Sequence, residues 1–363
     1  MTKRILTLGL DYGTETARAL LVDTKTGEEI ATAASTYPNG VIESELPDGT
    51  RLEPETALQD PRDYLTVLEK IVPQAMNEGG VQAEEVIGIG VDFTASSVLP
   101  TLADGTPLCT LSEYASEPFA WVKLWKDHAA QPEAEEMNEL AESRGEAFLA
   151  RYGGRLSSEW MFPKTLRMLH MAPDVYNSAE RIIEAGDWLV WQLCGKEQRS
   201  ACQAGYKGLW SKSDGYPSED YLRNLNPQFA AFVTEKLSAD IYPLGNPAGG
   251  LQEIWAQKMG LLAGTPVAIA IIDAHAAVLG SSVAEAGKMV LALGTSTCHL
   301  VMHHENIPAR GIAAIVEDGI VPGLVAYESG QSAVGDIFSW FVKNQVPTRY
   351  EEDAKAKGLD LFA

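Results

Sequence analysis

The feature that most constrains the fold is a strand–turn–strand pattern that occurs twice, once near each end of the chain. In each copy an apolar strand leads into a Gly-Thr-x-Thr turn and a second apolar strand follows, at residues 8–16 and 290–297. In the aligned copies Ala292 stands where the first copy has Asp11, so only the first has a carboxylate there. We expect a duplicated core with two hairpins facing one another across a cleft; two unrelated tight turns are the alternative.

The length of the chain predicts more than one domain. With 363 residues, of which 45% are hydrophobic and 21% charged, the chain can bury two ordinary cores. Predicted strands and helices are mixed along the sequence, which indicates an α/β fold in both domains. Residues 245–264 are rich in Gly and Pro, and we place the boundary there, with domains at 1–260 and 261–363.

The charge of the chain argues against two classes of partner. A formal net charge of -22 repels both a nucleic-acid backbone and an anionic membrane surface, so we expect neither as a partner. The four cysteines form no CxxC pair, and the longest apolar stretch carries Asp273 and His275 in its middle. We therefore expect a cytoplasmic protein, and the six histidines show no metal-ligand spacing.

Phosphate groups need a binding site other than a Walker A loop, which the sequence lacks. A Gly-Thr-x-Thr turn offers backbone N–H donors and hydroxyls, and one turn from each half can hold a triphosphate between them. Asp11, at the end of a strand, suits Mg²⁺, and Arg18 on the returning strand can reach a phosphate. Either turn taken alone is equally well explained as an ordinary tight turn.

Asp273 is a candidate general base. It follows an apolar strand predicted at 266–272 and precedes a helix predicted at 274–280. Carboxylates at the carboxyl end of a buried strand point into clefts, where they can accept a hydroxyl proton during phosphoryl transfer. The alternative is a helix N-cap without a catalytic role.

A segment rich in tryptophan, residues 121–128, has the composition of a sugar-binding wall. Aromatic faces stack on the C–H side of a sugar while Asp and Lys bond its hydroxyls, although a core tryptophan with solvated charges explains the pattern as well. Residues 92–97 leave a predicted strand and can shape the same pocket. Lys207 and Glu328 are further candidates, with a surface lysine and a helix cap as the alternatives.

These motifs together resemble the FGGY carbohydrate kinases of the actin-like ATPase superfamily, along the whole chain. Residues 9–14 resemble the first phosphate motif of the family, 294–297 the second, and 161–166 the family signature. The strings at 124–128, 157–160, 294–298 and 328–336 resemble those of the members that act on L-ribulose.

The resemblance implies an α/β fold of the actin-like ATPase (ribonuclease H-like) type, with two similar domains around a cleft. It implies ATP and Mg²⁺ as cofactors and conversion of L-ribulose to L-ribulose 5-phosphate, a step of arabinose catabolism. It also implies roles for particular residues: Asp11 for the metal; Gly13, Thr14, Arg18, Gly294, Thr295, Ser296 and Thr297 for the nucleotide; Asp273 as the base; Ala95, Trp125, Asp127, Lys207 and Glu328 for the sugar. Ala95 is small where related kinases often carry a larger or polar residue, which would leave room for the substrate.

Family members continue beyond this length and carry a Gly-rich segment that binds adenine, which this sequence does not show. We therefore expect the second domain and its nucleotide site to be incomplete. Other substrates of the family, such as xylulose or ribitol, are alternatives, and a homo-oligomer is left open. An actin-like ATPase or a non-catalytic sugar-binding protein are alternatives of a different class.

Overall fold

The structure is a computed structural model that describes residues 4–237, 240–294, 296–331 and 333–361. The strands are β1 (Leu6–Tyr12), β2 (Thr16–Asp23), β3 (Glu29–Thr36), β4 (Leu58–Gln59), β5 (Val86–Phe93), β6 (Val98–Thr101), β7 (Val122–Lys123), β8 (Arg181–Glu184), β9 (Arg199–Ser200), β10 (Ile241–Tyr242), β11 (Pro247–Gly250), β12 (Pro266–Ala268), β13 (Ile271–Ile272), β14 (Met289–Leu293), β15 (Thr297–His303), β16 (Ala314–Glu317) and β17 (Val325–Gln331). The helices are α1 (Pro61–Glu78), α2 (Gln131–Arg144), α3 (Met161–Met171), α4 (Pro173–Ser178), α5 (Ala185–Cys194), α6 (Ala201–Lys207), α7 (Glu219–Leu225), α8 (Phe232–Lys236), α9 (Glu253–Met259), α10 (Asp273–Gly280), α11 (Val334–Gln345) and α12 (Thr348–Ala356).

The first sheet has the strand order β11-β12-β5-β1-β2-β3, and β13 also pairs with β5. Leu6, Leu8 and Leu10 alternate along β1 and are fully buried, which is the period of a strand with one face on the core. β1 runs parallel to β5 and antiparallel to β2, while β5 also runs parallel to β13. The carboxyl ends of β1, β5 and β13 therefore meet at one edge of this sheet.

The second sheet is antiparallel, with the order β14-β15-β17-β16. Its strand β16 lies against α6, and the contact needs a glycine there. A Cβ built on Gly205 would lie 2.4 Å from Cγ1 of Val316, so only a residue without a side chain allows this approach. We call the part of the molecule with the first sheet and the part with the second sheet its two halves. The contact between them, the seam, runs along α6 and β16.

The strand predicted at 266–272 is wrong as one element. It is broken into β12 and β13, because the N–H of Ile269 donates to the carbonyl of Asn246 at 3.0 Å instead of continuing a ladder with β5. Both short strands belong to the first sheet although they follow residue 260. The domain boundary between residues 260 and 261 stays a prediction.

Helix α10 begins at Asp273, directly after β13, and joins the two halves. It contacts β5 on one side and β14 and β15 on the other. The predicted helix at 274–280 is therefore confirmed with one more residue at its start. In the described part of the chain, none of the helices combines the length and the apolar character needed to cross a bilayer.

Candidate functional site

Three carboxylates come together where the parallel strands of the first sheet end. Asp11 on β1 lies opposite Asp92 on β5 in the parallel register. Ile271 on β13 is also in register with Asp92, which brings Asp273, two residues later, to the same edge. We call Asp11, Asp92 and Asp273 the acidic edge. Sequence reasoning gave the segment that contains Asp92 only a shaping role, although Asp92 stands one residue before the end of β5.

Burial and mutual repulsion change the proton affinities along the acidic edge. Burial raises the pKa of Asp92 to about 8, helped by the charge of Asp11, a hydrogen bond with Asp11 and the charge of Asp273. Asp92 is therefore largely protonated at neutral pH. Burial also raises the pKa of Asp273 to about 6. The N–H of Ala274 donates to Oδ1 of Asp273 at 2.6 Å, and this hydrogen bond partly offsets the effect by lowering the pKa. At neutral pH Asp273 is a carboxylate of increased basicity.

A buried ion pair crosses the seam beside the acidic edge. Nζ of Lys207, at the end of α6, lies 3.0 and 3.2 Å from the two carboxylate oxygens of Glu328 on β17. Nε2 of His275 lies 3.5 Å from the same carboxylate. Burial alone raises the pKa of Glu328, but attraction to Lys207 and His275 outweighs it and lowers that pKa to about 2. Glu328 is thus a fixed anion, held by residues on both sides of the seam.

His275 was not singled out as a site residue from the sequence. It is 1% exposed, stacks on Tyr206 with ring centroids 4.1 Å apart, and has its pKa lowered by burial. Both ring nitrogens lack a hydrogen-bond partner among the described residues, and Nε2 lies closest to the Glu328 carboxylate.

The first hairpin turn is held from outside by side chains of distant segments. Indole Nε1 of Trp125 donates to Oγ1 of Thr14 at 3.0 Å, and the hydroxyl of Tyr37 donates to the carbonyl of Gly13 at 2.9 Å. Within the turn, the N–H of Gly13 donates to the carbonyl of Thr16 at 3.0 Å. The structure therefore brings the predicted sugar wall and the predicted phosphate turn into contact.

Arg18 lies opposite Asp11 in the β1–β2 register, and its Nη1 is 3.3 Å from Oδ2 of Asp11. Both side chains are substantially exposed, at 53% and 41%. The guanidinium is therefore accessible, as a phosphate-binding role requires, but its part in such a site stays a prediction.

The second hairpin turn closes differently. The N–H of Gly294 donates to the carbonyl of Ser296 at 3.0 Å, so this turn is one residue shorter than the first. Thr297 begins β15, and its buried hydroxyl has no hydrogen-bond partner among the described residues. Thr295 lies outside the described residues.

A buried lysine connects the two segments that form the predicted sugar wall. Nζ of Lys164, on α3, donates to the carbonyl of Ser96 at 2.9 Å and also to the carbonyl of Leu124. These carbonyls adjoin Ala95 and Trp125, so one ammonium sets the spacing of both segments. Burial lowers the pKa of Lys164 to about 8. The sequence placed Lys164 in a signature string but gave no indication of this role.

Asp127 is buried beside another segment of the chain. Its Oδ2 accepts the N–H of Ala57 at 3.2 Å, and the residue is 1% exposed. It lines a cavity that also contains Lys123 and Lys164. Its predicted contact with a sugar stays a prediction.

The donors at the acidic edge fit a magnesium ion. Two carboxylates in contact repel one another unless a proton or a cation lies between them, and Asp11 and Asp92 are such a pair. Mg²⁺ is commonly held by one or two carboxylates while substrate phosphates and water complete its shell. The described residues contain no cluster of three or more His, Cys, Asp or Glu side chains that could hold a metal ion without such help.

Solved structures share the architecture described above. A xylulose kinase from Rhodospirillum rubrum superposes with a TM-score of 0.76 at 20% identity, covering 93% of this chain and 63% of that one. A Plasmodium falciparum glycerol kinase with ADP superposes with a TM-score of 0.73 at 14% identity, covering 97% of this chain and 67% of that one. At these identities the likeness shows the fold, which is the two-domain actin-like ATPase fold.

The sequence itself matches two family descriptions in succession. Residues 6–280 match the N-terminal domain, and residues 289–363 the C-terminal domain, of the FGGY family of carbohydrate kinases. The ribulokinase of Bacillus licheniformis is 49% identical over 95% of this chain, and that of Halalkalibacterium halodurans is 50% identical over 98%. The chain spans 63% and 64% of the lengths of these two relatives. Since both domain descriptions match and about half of the aligned residues are identical, the chain belongs to the FGGY family of carbohydrate kinases.

Proposed function

We propose that this site transfers the γ-phosphoryl group of ATP to a hydroxyl of a ketopentose, with L-ribulose as the substrate and L-ribulose 5-phosphate as the product. One observation carries the proposal: Asp273, a carboxylate of raised pKa, directly follows β13 and lies near the buried Lys207–Glu328 pair. A base next to fixed polar groups is the arrangement that a hydroxyl acceptor needs. The activity would be a step of arabinose catabolism.

Asp273 carries the proton-transfer step. The carboxylate accepts the proton of the terminal hydroxyl while that oxygen forms a bond to the γ-phosphorus, and the bond from phosphorus to the leaving ADP oxygen breaks. Since Glu328 is a fixed anion, it accepts hydrogen bonds from the sugar, and Lys207 donates to a sugar oxygen. Together they orient the acceptor toward Asp273.

The nucleotide would lie against the two hairpin turns, with Arg18 and the turn N–H groups near its phosphates. A magnesium ion held by Asp11 would neutralise phosphate charge. Trp125 bonds to Thr14, so the sugar wall and the phosphate turn are fixed relative to one another before either ligand arrives. This fixed spacing favours transfer to the sugar over transfer to water.

The choice of L-ribulose rests on the relatives. Ribulokinases from several bacteria are 37–50% identical to the chain over most of its length, whereas the xylulose kinase from Rhodospirillum rubrum is 20% identical. Ala95 lies next to the Ser96 carbonyl that Lys164 holds, so its small side chain would face the substrate from a fixed loop. A xylulose or ribitol kinase is the alternative that the same geometry allows.

The test measures ADP release and sugar binding separately. ADP release with L-ribulose, D-ribulose, D-xylulose and ribitol identifies the acceptor, and sugar binding by calorimetry shows whether the sugar half of the site works alone. Asp273→Asn should reduce turnover at least a thousandfold and leave L-ribulose affinity within about threefold. Glu328→Gln is the matched control, because it should weaken sugar binding instead. Near-normal turnover in Asp273→Asn would refute the proposed base.

We also propose that the protein acts in the cytoplasm. The four cysteines form no disulfide, which is the usual state in a reducing compartment. Fractionation of producing cells tests this, and activity in the membrane or secreted fraction would contradict it. Size-exclusion chromatography with light scattering decides between a monomer and a homo-oligomer.

A further inference from the structure

A second cavity lies beside the wall segment and has Lys123 and Asp127 in its lining. Its volume is about 300 Å³, which is at the lower limit of ordinary ligand pockets. None of the three acidic-edge residues lines it, and neither do Lys207 and Glu328. It is therefore separate from Asp273, Lys207 and Glu328, although Asp127, which the resemblance also assigns to the sugar, lies in its wall.

One of its walls contains a buried ammonium group that has no polar partner among the residues that the structure describes. Lys123 is 5% exposed, and its Nζ lies 4.3 Å from the ring centre of Phe119, which also lines the cavity. Among the described residues, no hydrogen-bond acceptor or ion-pair partner is within reach of this Nζ. A buried charge is costly unless an opposite charge or an acceptor compensates it.

Two guanidinium groups line the same space. The side chain of Arg51 has no hydrogen-bond or ion-pair partner in the described ranges. Nη2 of Arg167 donates to Oε2 of Glu53 at 2.5 Å, and its Nη1 lies 3.6 Å from Oε2 of Glu133. Its buried Nε has no acceptor among the described residues. Three cationic side chains thus retain unused donors at one cavity.

The carboxylates that face the cavity are already engaged. Glu53 is bound by Arg167, Glu117 accepts the N–H of Phe119 at 3.3 Å, and Asp127 accepts the N–H of Ala57 at 3.2 Å. These anions reduce the positive potential of the cavity. They do not supply the missing acceptor for Lys123, since none of them lies within ion-pair distance of it in the described structure.

We propose that this cavity binds a small oxyanion of the phosphate class, with Lys123, Arg51 and Arg167 as its donors. Arginine and lysine side chains are the usual ligands of such groups, and the bound anion would compensate the buried ammonium. Lys164 also lines the cavity, so the anion would lie one side chain away from the loops that carry Ala95 and Trp125.

Isothermal calorimetry with inorganic phosphate, in the absence of sugar and nucleotide, tests the proposal independently of kinase activity. The wild-type chain should bind phosphate, and its melting temperature should rise by about 2–4 °C at saturating phosphate but not in chloride of equal ionic strength. Lys123→Met and Arg51→Gln should each weaken phosphate binding about tenfold or more. Lys258→Met, which removes an exposed lysine paired with Glu69, is the matched control and should bind as the wild type does.

The variants report on folding as well as on binding. Lys123→Met should melt at the same or a higher temperature than the wild type in phosphate-free buffer, because it removes an uncompensated buried charge. Its loss of phosphate binding then cannot be explained by unfolding. Absence of phosphate binding to the wild type, or equal affinity in Lys123→Met and Lys258→Met, would overturn the proposal.

Discussion

The two hairpins share a sequence pattern but have different surroundings. In the first, Leu10 is fully buried, the turn is held by Tyr37 and Trp125, and the strands lie inside a sheet. In the second, β14 is an edge strand, and Leu291 and Leu293 are 51% and 68% exposed. Repetition of a pattern therefore predicts the local hairpin, whereas burial depends on what the rest of the chain places against it.

The two hairpins also differ in the candidate site residues that they carry. The first hairpin carries Asp11 and contacts the wall through Thr14, whereas the second carries Ala292 at the equivalent place. The second sheet contributes Glu328, which reaches the site through β17 and not through the hairpin. The two halves of the site are consequently unequal, and the following experiments test that inequality.

The largest expected effect compares the same substitution at equivalent positions. Leu10→Ala should lower the free energy of unfolding by about 2–5 kcal/mol, because it leaves a cavity in a closed core. Leu291→Ala, at the aligned position, should change it by less than about 0.5 kcal/mol, since its side chain is half exposed. Urea unfolding followed by tryptophan fluorescence measures both. Similar losses would show that the second hairpin is as well buried as the first.

The second prediction concerns the carboxylate that only the first hairpin has. Asp11→Ala should lower the pKa of Asp92 from about 8 toward its ordinary value, because the charge and hydrogen bond of Asp11 are lost while the burial of Asp92 remains. The pKa of Asp273 should fall by less, since Asp11 acts on it only through its charge. Carbon-detected NMR titration of the carboxyl groups measures both values. Ala292→Ser in the second hairpin is the control, and a shift of Asp92 in that variant would contradict the assignment.

The third prediction concerns the pH dependence of turnover, which should fall about tenfold for each pH unit below the pKa of Asp273. The pKa of Asp273 is raised to about 6, so this proposed base is ionised above that value and becomes protonated as the pH falls through it. Turnover with L-ribulose should therefore be constant near pH 7.5 and decline below about pH 6 with the slope of one proton. A profile that is flat down to pH 4.5 would remove Asp273 from the rate-limiting step.

The smallest effect concerns the turn itself. Trp125→Phe removes the indole N–H that donates to Thr14, which should cost about 0.5–1.5 kcal/mol. Amide hydrogen exchange at residues 13–16 should become several-fold faster, while exchange at 296–298 should not change. Equal acceleration in both turns would indicate a general loosening of the structure and not a specific contact.

Much of the local structure follows from short-range pattern. The alternation in residues 6–10 predicts a half-buried strand, and the apolar run before Asp273 predicts a carboxylate at a strand end. The break at Ile269 was missed, because it depends on a hydrogen bond to Asn246, which the strand pattern does not show.

Contacts between distant segments account for the rest. The register that sets Asp11 opposite Asp92 joins strands separated by the whole of α1, and no periodicity in either strand encodes it. Lys164 reaches carbonyls in two other segments, and backbone carbonyls leave no trace in a sequence. The orientation of Asp127 toward Ala57 depends in the same way on a backbone donor from another segment.

The glycine at position 205 has a consequence for how the molecule works. Because it lets β16 approach α6 so closely, Lys207 at the end of that helix comes within reach of Glu328 in the neighbouring strand. A motion that separated α6 from β16 would break the bond between Lys207 and Glu328, which are the two residues proposed to hold the sugar. The proposed sugar affinity would then depend on how closely α6 and β16 approach one another. A larger residue at position 205 would hold these two elements apart and weaken it.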